Sequence, residues 1–496
     1  MPERLDLSLN TNPDQETKKN DEKTEELLGP ETSDTPVPQS GIPKPGDPKP
    51  FKSEPAGTRH AETGTGDPKK RRIIIIAAAA VLLIAAGWFG FTMWQNSQYS
   101  KQLDLAQKYL EDGNYEDAVL AYESAVKIAD NRQDAYEGLA KAASQLGDND
   151  QTGSAYQKLY DLTGDSQYQV LAEQAQQGSS SGNLSNGGQI VQAGDSVYAA
   201  VRAGTNSNIS IVKIQDDQST MFVADTGSRW IYSLNIYNGY LYYSSYAPGE
   251  DFADYHYDYD IYRANLSTGE TERLPIEDSL YLSVYKGRIY YIVARDCIIY
   301  SSALDGTDVK KLIEAPQPNS VLKAVSNDTI YYVPKDGTGI GDYPLWTAGL
   351  DGSDAKSTGI GFASQIRGFS LYGDKAVCSL YYNQNLYSAD LSAGTSSIIG
   401  SATSFNASSS NIFDVNLTGT NTCDLIRTNM DGTGAETIDS QLSFTGNSYN
   451  QYTFPANAYL TDQNVYIIGP QAGGGTVIYR IKQDGSGSVQ TIPLSY

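Results

Sequence analysis

Cysteine and histidine are the scarcest chemistry in this chain. Its 496 residues hold 3 Cys, at Cys297, Cys378 and Cys423, and 2 His, at His60 and His256. An odd, widely spaced trio of cysteines supplies neither a disulfide framework nor the paired spacing of a zinc site. Cys297 precedes Ile298 and Cys378 follows Val377, so buried structural thiols are expected. For an exported domain, this poverty suits a bacterium that does not staple its exported proteins. A Ser-His-Asp or Cys-His arrangement would have to use one of the two imidazoles, and neither has a nucleophile motif beside it. Basic charge is also short: 36 Lys+Arg stand against 59 Asp+Glu, a net charge of -23. That balance excludes nucleic acid as a partner, because phosphate binding needs concentrated Lys and Arg. It also disfavours wrapping an anionic lipid surface, and it keeps an exposed domain soluble.

Long apolar runs are absent with one exception. Residues 1–72 hold more than half of the 20 Pro, with Thr, Glu, Lys and Asp, and Phe51 as their one aromatic. Such a segment cannot offset its ordering entropy by burial, so a disordered tail is expected. It ends in Lys69-Lys70-Arg71-Arg72, and Ile73 to Trp94 then run without a charge. Twenty-two helical residues reach roughly 33 Å, enough for a bilayer core. Trp88 and Trp94 suit an interface, and the basic cluster predicts a cytoplasmic N-terminus with residues 95–496 outside the plasma membrane. A run that begins some 70 residues in does not fit a cleaved signal peptide.

Residues 97–176 lack Pro and are rich in Ala, Leu, Tyr, Gln and Glu. Ala106 and Ala140 are 34 apart, as are Gly113 and Gly147, Ala121 and Ala155, and Tyr122 and Tyr156. A period of 34 predicts paired helices, with the two glycines at the turns where φ > 0 is useful. The stretch "YLEDGNYEDAVLAYESAVKI" resembles a tetratricopeptide repeat. The second copy is looser, and residues 165–176 read as a capping helix. Such a domain serves as a rigid spacer or as a binding groove. Residues 177–188, "QGSSSGNLSNGG", read as a flexible linker.

From residue 189 to 496 Tyr, Ile, Val, Ser, Thr, Gly and Asp dominate, and a two-strand unit recurs. Its first-strand anchors are Tyr198, Tyr242, Tyr290, Tyr331, Val377, Phe413 and Tyr466. Second strands such as "DIYRANLSTGE" and "IIYSSALDGTD" run into a turn. The intervals average about 45 residues, the size of a four-stranded propeller blade. The copy around Phe413 is degenerate, so six to eight blades fit, with seven the direct count. The motif Ile261-Tyr262-Arg263-Ala264-Asn265-Leu266, followed by Gly269, resembles the YWTD propellers of low-density-lipoprotein-receptor-related proteins. It is more similar to a bacterial propeller family of unknown function related to them. The first strand departs, with Tyr242-Tyr243-Ser244-Ser245 in place of Tyr-Trp-Thr-Asp. The resemblance implies a propeller fold and a binding platform; it transfers no ligand.

The fold class expected is therefore multidomain: one transmembrane helix, a small all-α domain and an all-β propeller. No residue stands out as catalytic, cofactor-binding or metal-ligating. The stretch Gly249 to Asp260, with Glu250, Asp251, Asp254, His256, Asp258 and Asp260, reads as an acidic surface loop, a calcium site being the sharper alternative. The pairs Asp305-Gly306, Asp351-Gly352, Asp431-Gly432 and Asp484-Gly485 recur at one position per unit and read as turns. Gly469 to Tyr479 lacks the Lys-Ser/Thr of a phosphate loop and reads as a hairpin. The expected role is a cell-surface scaffold, not an enzyme, that presents both domains to an envelope protein or cell-wall glycan. Two alternatives stand beside it: a sensor signalling through Thr32, Ser33, Thr35 and Ser40 of the tail, and an exported hydrolase using paired carboxylates.

Overall fold

The computed structural model describes residues 68–495 apart from 205–207, 225, 229, 247–258, 277, 294–297, 315–320, 335–342, 363, 381–382, 420 and 446–455. The chain divides into two units, 1–77 and 78–496. Helix α1 (Pro68–Glu111) is 44 residues long, and its apolar stretch is exposed, from Ile73 at 65% to Trp94 at 59%. It is long and apolar enough to cross a membrane.

Below that stretch α1 turns amphipathic and packs on α2 (Tyr115–Ile128) and α3 (Gln133–Gln145), followed by α4 (Asn149–Thr163) and α5 (Ser166–Ala175). Small residues let the helices approach: Ala106, Ala118, Ala140 and Ala143 are fully buried around Tyr122 and Tyr136. Gly113 and Gly147 have φ of 74° and 66°, as the repeat predicted. Asp148 and Asp165 cap α4 and α5, each accepting a backbone N–H of the first turn.

Seven antiparallel four-stranded sheets follow, each built from consecutive strands. The chain carries a seven-bladed β-propeller, and the degenerate copy around Phe413 is a full blade. The two strands legible in each repeat are the second and third of the blade. The first strands of neighbouring blades touch around the centre: Ile190–Ala193, Trp230–Tyr237, Ser279–Tyr285, Val321–Ser326, Ile366–Tyr372, Ser404–Ala407 and Asn457–Leu460. The domain has no single core. It has an apolar cluster between each pair of adjacent blades, the seventh and first included. Each of the seven anchors faces the following blade, from Tyr198 against blade 2 to Tyr466 against blade 1. The neighbouring residue on the pleat, such as Tyr243 or Tyr291, faces the preceding one. A strand buried on both faces needs apolar residues at successive positions, which explains the Tyr-Tyr and Ile-Ile runs.

The ring closes between blade 7 and blade 1. Gln490–Thr491 completes blade 7. The tail beyond it reaches blade 1 through Ser219, whose Oγ donates to Pro493 O (2.7 Å) and whose C=O accepts from Ser495 Oγ (2.9 Å).

The expected flexible linker is corrected by the structure. Residues 177–188 include a short helix, α6 (Ser181–Ser185), that touches the inner strands of blades 2, 4, 5, 6 and 7 and so occupies the central channel. Asn183, 4% exposed, donates to Leu460 O and accepts from Leu460 N and Asn406 Nδ2, each at 2.8 Å. Asn186 donates to Phe405 O (2.9 Å) and Ala458 O (2.7 Å). Gly182 faces Asn406 so closely that a Cβ would lie 2.0 Å from its Oδ1. The Ser, Gly and Asn that suggest flexibility are the small and polar groups a narrow, polar channel accepts.

Candidate functional site

The helical hairpins dock on the turns that join first to second strands in the blades. Tyr237 donates to Asp150 Oδ1 (2.7 Å), and Asn238 Nδ2 donates to Asp150 Oδ2 (2.7 Å). Tyr285 donates to Glu173 Oε1 (2.6 Å), which also accepts from Asn327 N (2.7 Å). Burial and these carboxylates push both phenols far above the usual tyrosine range. Asp195 N donates to Gln145 Oε1 at 3.1 Å. Blades 1 to 4 therefore hold the hairpins through polar bonds of fixed geometry.

This docking completes a groove. A cavity of about 380 Å³ lies between α1, α2 and α3, and Asp195 of the blade 1 turn lines one end of it. Glu111, Asp134, Glu137 and Asp195 line it against one cation, Lys141. Three of the carboxylates sit on the helices: Glu111 in the last turn of α1, Asp134 and Glu137 in the first turns of α3. Glu137 accepts from Gln133 Nε2 (2.8 Å) and Tyr168 OH (2.7 Å), and Tyr99 bonds Asp134. The wall between them is aromatic. Tyr122 packs on Gly138, where a Cβ would fall 2.1 Å from its ring, and its phenol is raised by burial and by Glu111. An open groove with an excess of carboxylates and two tyrosines, Tyr115 and Tyr122, suits a cationic segment that can also stack.

The other candidates from the sequence fall apart in space or lie outside the described residues. His60, His256, Cys297, the tail hydroxyls of Thr32, Ser33, Thr35 and Ser40, and Gly249 to Asp258 are outside them. Asp260 is described, and it pairs with Arg273 at 2.7 Å. Cys378 and Cys423 are buried, and burial pushes both thiols up to about 12. The Asp-Gly pairs are turns. Asp305 Oδ1 accepts from Thr307 Oγ1 (2.6 Å) and N (2.9 Å), Asp431 Oδ1 from Thr433 Oγ1 (2.6 Å) and N (2.9 Å), and these bonds hold both carboxyls below the ordinary range. Gly469 to Tyr479 is a hairpin closed by Gln471 N donating to Gly475 O at 2.8 Å. Sequence reasoning singled out none of the groove's four carboxylates; the period locates the helices, and nothing local connects Asp195 to helices 50 or more residues away.

Solved structures with propellers resemble the chain. A puromycin hydrolase in complex with PGG shares 11% identity over 64% of this chain and 55% of its own, with a TM-score of 0.44. The β-propeller domain of the Trilobed protease from Pyrococcus furiosus shares 10% over 62% of this chain and 97% of its own, with a TM-score of 0.40. A chain of a nidogen/laminin complex shares 12% over 48% and 92%, with a TM-score of 0.35. Identities this low speak to fold alone, and the chain spans about half the length (55%) of the puromycin hydrolase it matches. No protein-family model matches the chain, and no curated protein matches its sequence. The expectation that the chain is not an enzyme is corrected by the same comparison: a hydrolase and a protease stand among the propeller-bearing structures it resembles.

Proposed function

We propose that the chain is a membrane-anchored platform, exported beyond the bilayer, whose helical groove receives a basic segment of an envelope protein. The observation that carries this reading is the composite groove. Asp195 of the propeller and Glu111, Asp134 and Glu137 of the helices line one cavity, so the hairpins are more than a spacer. Paired helices at a 34-residue period support a groove reading, and the Gln145 bond to Asp195 N ties α3 to the blade 1 turn that lines it. The apolar helix anchors the assembly, and the Lys69–Arg72 cluster favours a cytoplasmic N-terminus.

The test is binding of a Lys/Arg-rich fluorescent peptide to the full chain in detergent micelles. Affinity should fall with salt, because the attraction is between solvent-accessible charges. Charge reversal by Glu111→Lys together with Asp195→Lys should weaken binding about tenfold or more. An affinity unchanged by salt and by both reversals would remove the groove from consideration. Mass spectrometry of the same mixtures decides a separate matter, since cleavage of the peptide would establish the hydrolase alternative.

A further inference from the structure

Helix α1 does not stop where its apolar stretch ends. It runs from Pro68 to Glu111 as one element, and Gln95-Asn96-Ser97-Gln98, just past Trp94, holds neither Gly nor Pro to break it. The helical hairpin grips it immediately. Gln95 Nε2 donates to Ile128 O at 2.7 Å, at the end of α2. Tyr99, 1% exposed, bonds Asp134, and the Arg132 guanidinium lies 4.4 Å over its ring. Ala125 and Ala135 pack with Tyr99 in one buried cluster. The turn between α2 and α3 is therefore fixed to the residues that directly follow the apolar stretch.

That attachment gives the acidic groove two ends. One is Asp134, beside Tyr99. The other is Asp195, whose N–H donates to Gln145 at the end of α3 (3.1 Å). Both carboxylates line the cavity, as does Glu111 of α1. At about 1.5 Å per helical residue, Tyr99 stands roughly 8 Å past Trp94 along α1, and Glu111 roughly 25 Å past it. From Asp134 to Gln145, α3 covers about 16 Å, the length of about five extended residues. An extended chain leaving a bilayer at the level of Trp94 reaches the first end within about three residues and passes the groove within about eight.

We infer, given α1 as an anchor and the groove as a site for a basic segment, that the occupant is the juxtamembrane segment of a second membrane protein. It is about five residues long, rich in Lys and Arg, and lies within about ten residues of that protein's own span. The carboxylates supply the charge match, and Tyr115 and Tyr122 supply a stacking surface for guanidinium groups. Anchoring both proteins in one bilayer confines the segment near the groove, so binding succeeds at modest intrinsic affinity. Lys and Arg are sparse on the exported side of spans, which makes such a segment distinctive.

The test places the full chain in phosphatidylcholine vesicles, which carry no net charge to compete for a basic peptide. Flotation with the vesicles checks the anchor first; a chain that stays behind overturns the anchor reading and this inference together. The probe is a synthetic peptide with one apolar span, a short Gly/Ser spacer and the segment Lys-Arg-Lys-Arg-Lys, with a photoreactive residue at one end of the segment or the other. Crosslinks located by mass spectrometry should fall near Asp134 from the bilayer-side end and near Asp195 from the far end. Their yield should exceed that of the same segment without its span about tenfold or more at equal total concentration. Glu111→Lys with Asp195→Lys, both at exposed positions and checked for folding by circular dichroism, should remove most of that gain. Equal yields from the spanning and soluble segments, or crosslinks in the opposite order, overturn the membrane origin and leave the groove as a site for soluble basic partners. Yields no higher than those of a Gln-substituted segment, or unchanged by the charge reversals, overturn the groove reading as well.

Discussion

Replacing Asn183 by Leu is expected to cost roughly 3–5 kcal/mol, because it strands several buried hydrogen-bonding groups at once. The side chain donates to Leu460 O and accepts from Leu460 N and Asn406 Nδ2. Leucine offers none of these bonds. Asn186, Gly178 and Ser181 tie the same segment to Ala458, Val284 and Leu371, so the loss should propagate along the plug. The measurement is urea unfolding of the full chain in detergent, with protease sensitivity between residues 177 and 188 as a local readout. A loss below about 1 kcal/mol, with no new cleavage, would mean that the plug is incidental to the fold.

Asp414 should make the propeller lose stability between pH 4 and 7. It lies on the second strand of blade 6, 6% exposed, among apolar residues such as Ile412 and Phe405 of the blade 5–6 cluster. Its Oδ2 accepts from Thr428 Oγ1 at 3.3 Å, and its Oδ1 has no partner among the described residues. Burial raises the carboxyl from 3.8 to about 7. The folded chain therefore holds this proton over a range in which the unfolded chain has released it. The stability is present below pH 4, falls as pH rises, and is gone above about 7. The full swing corresponds to about 4 kcal/mol. Asp414→Asn keeps the shape and cannot ionise. It should flatten this part of the pH profile relative to the parent and raise stability at pH 8 by several kcal/mol. Parallel profiles for the two proteins would show that the carboxyl ionises without penalty. The comparison with the parent matters, because a chain of net charge -23 has other acidic groups that titrate in the same range.

The blade repeat was legible from the sequence, to within six to eight copies, because the second strand of each blade is buried on both faces. Burial of that kind demands a large apolar residue at one register position, and Tyr198, Tyr242 and Tyr466 meet it visibly. Inner strands were not legible. They line a polar channel, and Ser404–Ala407 or Ser279–Tyr285 show no clean alternation. The anchors alone could not expose the bulges at Lys323 and Arg367, since a bulge is a relation between two strands and not a property of one.

The helical period fixed where the turns fall, through Gly113 and Gly147, because a left-handed turn residue is a local requirement. It left open what the helices rest on. That answer required Asp150 to meet Tyr237 and Glu173 to meet Tyr285 across 87 and 112 residues. The plug shows the division most clearly. Composition reads "QGSSSGNLSNGG" as unstructured, since no part of it can bury apolar surface by itself. Within the ring of blades, buried backbone groups at Leu460, Ala458 and Phe405 need partners, and the same small polar residues supply them. What the sequence determined by itself was each element whose residues answer to their own burial. What the tertiary structure decided was every site made by groups that only folding brings within a hydrogen bond of each other.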